Sequence, residues 1–237
     1  MTCEEIIIKL QSKASKKHKA NVIRMGIPED YSIGVSTTII RNIAKEIEKS
    51  NELAYKLWKT GYHEARLLAV LIFERNNLNT EDIEYLMNDV ISWDLCDHLC
   101  KNLIIKLPNY DNYIIEWISS SQIYKKRAAF VLIASSVIHD KNIADNKLDD
   151  YLQLIFKYSH DNHEHIKKAI SWALREIGKK DFNYNEKALL LAHEFIDHGD
   201  KVQVWIGRNA IKELENVTKV ADRERLISTN TKTGSRF

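Results

Sequence analysis

Apolar side chains recur along this chain at steps of three and four, the period of a helix with one buried face, through nearly all 237 residues. The pattern predicts helices over 3–19, 37–49, 52–60, 63–76, 81–91, 93–106, 111–119, 122–138, 147–158, 163–179, 185–197, 203–216 and 219–227. Their ends carry matching signals. Ser36 and Thr80 serve as N-caps, Gly61 closes the helix before it, and Pro108 stops another. Strand patterning is missing, and 7 glycines and 2 prolines are too few for the turns of a sheet protein.

The second half adds a longer period. Lys126-Arg127-Ala128-Ala129, Lys167-Lys168-Ala169-Ile170 and Arg208-Asn209-Ala210-Ile211 share the order basic, any, Ala, apolar, and successive copies lie 41 residues apart. A spacing near 40 in an all-helical chain is that of HEAT-like helix pairs, which stack side by side and curve. The alanines let neighbouring helices approach closely. The fold expected is therefore all-α: a single-domain solenoid of antiparallel helix pairs over 1–227, with a concave basic face. The polar run STNTKTGSRF (228–237) is expected to be a frayed or disordered tail.

Composition narrows the setting. At 44% hydrophobic and 29% charged, the chain is ordinary for a globular protein that buries a sizeable core. Its longest apolar run, AAFVLIASSVI (128–138), is too short to span a bilayer, and no signal-peptide pattern opens the sequence. No membrane partner is expected. Three cysteines, Cys3, Cys96 and Cys100, are odd in number and fit a reducing cytoplasm better than a disulfide framework. Net charge is only +2, but basic residues gather locally. Residues 1–26 hold Lys9, Lys13, Lys16, Lys17, Lys19 and Arg24 against Glu4 and Glu5; residues 162–180 hold Lys167, Lys168, Arg175, Lys179 and Lys180 against Glu164 and Glu176. Solvated helix faces and polyanion-binding surfaces both fit such runs.

The densest reactive stretch is SWDLCDHLC (92–100). Ser92 suits an N-cap and Asp94 the positive end of a helix dipole. At 100° per residue, Leu95, Cys96, Leu99 and Leu103 form the apolar stripe, Trp93 and Asp97 sit together well round from it, and His98 points nearly opposite Cys96. A zinc site fails on that geometry, because His98 cannot join the two cysteines and no second Cys/His pair lies at a suitable distance. Cys96 and Cys100 read as small core hydrophobes. Trp93 with Asp97 has two readings: a tryptophan filling a gap between helices, or an anionic group set beside an exposed aromatic surface.

Two further places bear on that choice. Arg127 opens a helix that is apolar almost all round, so its guanidinium needs either a structural ion partner or an external anion. In IKKAISWALREIGKK (166–180), Lys168, Trp172, Arg175 and Lys179 share one side. Cations interleaved with an indole suit a sugar-phosphate backbone, and ordinary helix packing also explains Trp172.

These residues carry a resemblance. SWDLCD (92–97), KKRAAFVL (125–132) and above all IKKAISWALRE (166–176) resemble the bacterial AlkD-type DNA alkylation repair enzymes, alkylpurine DNA glycosylases built from HEAT-like repeats. VSTTIIRNIAKEI (35–47) and LWKTGYHEARLLA (57–69) extend the likeness to about residues 20–217. The resemblance implies that Trp93 and Trp172 cradle the damaged nucleotide, that Asp97 is the catalytic carboxylate, and that Arg127 grips a neighbouring phosphate. Lys126, Lys167, Lys168, Arg175, Lys179 and Arg208 are the basic residues expected to line the DNA-bearing face. It further implies duplex DNA containing alkylated purines as partner, no cofactor, no metal, and a cytoplasmic monomer associated with the nucleoid when bound. Asp94 and the cysteine-rich flank have no counterpart in the pattern, and +2 is a weak charge for a DNA binder.

Two other readings stand beside it. One is a non-catalytic HEAT-like module that binds DNA structures or protein partners, since such folds are mostly interaction surfaces. The other is an adaptor using His63, Glu64 and Arg66 of YHEARLLA (62–69), where capping and surface ion pairs offer a plainer explanation.

Overall fold

The computed structural model describes residues 1–230. It is all-α apart from one short hairpin, and its contacts gather into two compact units, Met1–Tyr110 and a second beginning at Asp111.

The first unit contains α1 (Cys3–Ser12), α2 (Lys16–Arg24), α3 (Thr37–Lys45), α4 (Asn51–Lys59), α5 (His63–Ile72), α6 (Thr80–Asn88) and α7 (Trp93–Asn102). Side-chain caps start most of them: Thr2 and Asn79 form reciprocal capping boxes with Glu5 and Asp82, and Ser36, Ser50 and Ser92 accept from the third residue onward. Ser36 is the cap expected from sequence; Asn79 takes the role assigned to Thr80. Gly61 follows α4 with φ +77°, as a helix-closing glycine does. The single helix expected over 3–19 is broken, because the Ser15 amide leaves the helical ladder and donates to the Gly34 carbonyl.

Helix α5 is the centre of this unit and packs against α1, α3, α4 and α7. Eight of its ten residues are buried and only Arg66 and Leu71 are partly exposed, so it has almost no solvated face. Glu64, fully buried on α5, accepts backbone N–H bonds from Ile33, Gly34 and Val35 at 2.9, 2.6 and 3.2 Å. A lone buried carboxylate is costly, and three amide donors offset that cost while fixing the loop before α3. Gly34 adopts φ +94°, and a Cβ there would meet Lys19 at 2.7 Å.

The second unit contains α8 (Tyr110–Trp117, which begins at the junction), α9 (Ile123–His139), α10 (Asp145–Tyr158), α11 (Glu164–Gly178), α12 (Phe182–His198) and α13 (Lys201–Leu214). The 41-residue sequence period falls on α9, α11 and α13, and α11 packs directly against both of the others. Ala128, Ala129, Ala169 and Ala210 are all buried at these contacts. Helix α9 buries eleven consecutive residues from Arg127 to Val137.

Residues 219–227, expected to be helical, instead form a loop closed by β1 (Val217–Thr218) pairing antiparallel with β2 (Ile227–Ser228). Within the expected tail, Ser228 is buried, and Thr229 and Asn230 bond back to Asn216 and Lys212. The rest of that tail lies outside the described residues. No helix among them is long and apolar enough to cross a membrane.

Candidate active-site residues and nucleic-acid interface

The four residues singled out from sequence divide between the units: Trp93 and Asp97 on α7 of the first, Arg127 on α9 and Trp172 on α11 of the second.

Helix α7 is held at its first turn and near its middle. Ser92 accepts from the Leu95 amide at 3.2 Å. Asp94 pairs with Nε2 of the buried His63 at 3.0 Å. Burial opposes the Asp94 carboxylate, but the His63 bond and the charges of His63, His98 and Lys101 outweigh it and hold the group below its usual range. His98 bonds through Nε2 to the Leu67 carbonyl on α5 at 3.0 Å, which requires that nitrogen to carry the proton. Burial, followed by the positive charge of Arg41, pushes the His98 pKa down to about 4, so the ring is neutral at pH 7.

The helical wheel expected Asp97 well away from the buried stripe. In the structure every residue from Leu95 to Cys100 is buried, with Asp97 at 9% exposure and Trp93 half-buried. Neighbouring elements cover more of α7 than its own apolar pattern indicates. Cys96 and Cys100 are packed in the core, as expected.

In the second unit, Arg127 is 6% exposed and donates through Nη1 to the His165 carbonyl at 2.6 Å, at the start of α11. The Tyr124 ring stacks on the His165 ring there. Trp172 is half-buried, and its indole N–H donates to Oε1 of Glu176 at 3.0 Å. Glu176 also binds Nζ of Lys179 and Nη2 of Arg225, and Lys179 and Arg175 both reach Glu213. The side of α11 expected to be cationic is thus a mixed-charge network around the indole. A surface cavity of about 590 Å³ opens beside it, under the hairpin that carries Arg225.

The basic residues expected to face DNA are mostly paired. Lys126 meets Asp161 at 2.9 Å. Lys167 and Lys168 both hold Glu164, whose carboxyl these bonds pull down to about 2, and Lys167 also lies 4.8 Å over the Trp205 ring. Arg208 is exposed.

The adaptor reading of His63, Glu64 and Arg66 is overturned. His63 and Glu64 are buried in the bonds described above, and Arg66 binds the Trp58 carbonyl and both a backbone and a side-chain oxygen of Asp89. They bind parts of their own unit rather than forming a surface. Glu176, Glu213 and Arg225 were not picked out as site residues. Glu176 had a legible signal, one turn beyond Trp172. Arg225 had none, because its segment reads as a helix.

The helix pairs and their 41-residue period define a HEAT-like helical-repeat protein. A solved structure described as a new family of proteins related to the HEAT-like repeat DNA glycosylases, with affinity for branched DNA structures, matches over 100% of this chain and 93% of its own. The TM-score is 0.75 at 19% identity, which shows the shared fold. The chain belongs to the DNA alkylation repair enzyme family, whose model matches residues 6–214. No curated protein matches it.

Proposed function

We propose that the protein is a DNA glycosylase that hydrolyses the N-glycosidic bond of N3- or N7-alkylated purines in duplex DNA. Alkylation at either position makes the base cationic and weakens its bond to the sugar. Departure of the base leaves a sugar with oxocarbenium character. The Asp97 carboxylate stabilises that charge and positions a water for attack on the anomeric carbon. The base leaves neutral, the sugar gains a hydroxyl, and one proton passes to solvent. Because the leaving group starts as a cation, no general acid is required.

Trp93 and Trp172 hold the deoxyribose against their ring faces, a cation–π contribution of roughly 0.5–2 kcal/mol as charge develops. Arg127 grips the adjacent phosphate. The reaction takes place on nucleoid DNA in the cytoplasm. The observation that carries this reading is the pairing on α7: a nine-tenths-buried carboxylate one turn beyond a half-exposed indole, in a member of the DNA alkylation repair enzyme family.

A second reading draws on the affinity for branched DNA structures described for the similar solved structure: a non-catalytic HEAT-like module that binds such DNA. Base release from alkylated duplex by wild type and by Asp97→Asn separates the two. The first reading requires release that the variant loses; the second requires tight binding of a four-way junction with no release by either protein.

A further inference from the structure

We infer that the first unit carries a phosphate-binding surface for the DNA backbone, made by Arg41, Lys45, Lys49, Arg75 and Lys106. The inference rests on the DNA-binding part of the proposed function and adds a surface to it.

Local packing brings these residues together from four places in the chain. Arg41 and Lys45 lie one turn apart on α3 and flank a surface cavity of about 480 Å³, with Thr38 and Asn42 at its edge and Leu71 of α5 behind. Lys49 and Arg75 sit at either side of one staple: the Ser50 amide donates to the Ile72 carbonyl, and the Asn51 side chain exchanges two hydrogen bonds with the backbone of Glu74. Lys106 ends the 3-10 turn Ile104–Lys106, which packs on α7. All five are exposed.

Three of these charges act on Lys106. The Lys106 ammonium is pushed below its usual proton affinity by partial burial, then by the positive charges of Lys49, Arg75 and Arg41. Repulsion of that kind is normally relieved by interspersed carboxylates, as it is on α11. Here none of the five is ion-paired among the described residues. Glu46 is taken by Lys9, Glu74 accepts from the Asn77 amide, and Glu48 pairs with neither neighbouring lysine. Five exposed cations from separate elements, none of them ion-paired among the described residues and two of them lining a surface cavity, match a chain of phosphates better than a single small anion. The paired cations of the second unit must give up an acid to take a phosphate; these need not.

The test is the salt dependence of binding to an undamaged fluorescent duplex, with full-length wild type and the double variants Arg41→Gln/Lys45→Gln and Lys49→Gln/Arg75→Gln. Each lost phosphate contact should reduce the slope of log K against log salt by about 0.9, so each double variant should lose about 1.8. Melting temperatures should hold or rise, since repulsion is removed. Wild type that binds DNA, with both variants keeping its slope, overturns this surface and leaves the proposed function standing. Wild type that neither binds DNA nor releases base overturns the proposed function and this surface with it.

Discussion

Glu176 accepts the indole N–H of Trp172 at 3.0 Å and, with the same carboxylate, holds Lys179 and Arg225. The orientation of the tryptophan is thereby tied to the C-terminal hairpin. Glu176→Ala should destabilise the second unit by roughly 1–2 kcal/mol, since it removes one carboxylate partner from each of Lys179 and Arg225 and the acceptor of a half-buried indole N–H. Glu176→Gln keeps an acceptor for the indole, so its tryptophan fluorescence should match wild type while its urea midpoint falls. Equal fluorescence changes in both variants would show that Glu176 does not position Trp172.

Glu64 should be more sensitive still. Removing it leaves three buried amides of residues 33–35 without acceptors, so Glu64→Ala should cost at least about 3 kcal/mol in urea unfolding. Glu64→Gln should recover only part of this, because both carboxylate oxygens accept and an amide offers one. A loss below about 1 kcal/mol in the alanine variant would contradict that role.

His98 makes stability depend on pH. Its folded pKa of about 4 lies below the ordinary 6.5, so the unfolded chain binds the proton first as pH falls. The stabilising contribution is complete above pH 6.5 and is lost as pH falls towards 4, by up to roughly 3 kcal/mol. Urea unfolding at pH 7, 5.5 and 4.5 should show this slope, and His98→Gln, which keeps a donor for Leu67, should flatten it. The same slope in the variant would assign the effect to another group.

Acids on the second unit restrain its basic residues. Glu164 holds Lys167 and Lys168, and Glu213 holds Arg175 and Lys179. If those four cations reach phosphate, Glu164→Gln/Glu213→Gln should bind duplex DNA more tightly than wild type, with a steeper salt dependence. Unchanged affinity would remove them from the interface.

What the sequence made legible follows from the range of the forces involved. Helix periodicity and the 41-residue spacing are set by local burial, and α9, α11 and α13 appeared where the repeat placed them. The break after Ser12 depends on a carbonyl at Gly34, and the 217–228 hairpin depends on the Arg225–Glu176 bond; neither partner is near in sequence. Burial of Asp97 and His98 escaped the helical wheel because neighbouring elements cover α7 beyond its apolar stripe. The basic run 162–180 was conspicuous by density, yet most of its cations are paired. Arg41, Lys45, Lys49, Arg75 and Lys106 are too scattered to form a run, and only the packing of the first unit gathers them.

The central claim is that Asp97 drives glycosidic cleavage, and quantifying free 7-methylguanine and 3-methyladenine released from methylated duplex DNA tests it most directly. Wild type should release one or both, while a folded Asp97→Asn should be slower by at least about 10²-fold, the scale of losing one preorganised electrostatic group. Release by Asp97→Asn at the wild-type rate, or none from wild type under conditions where it binds DNA, would contradict the account.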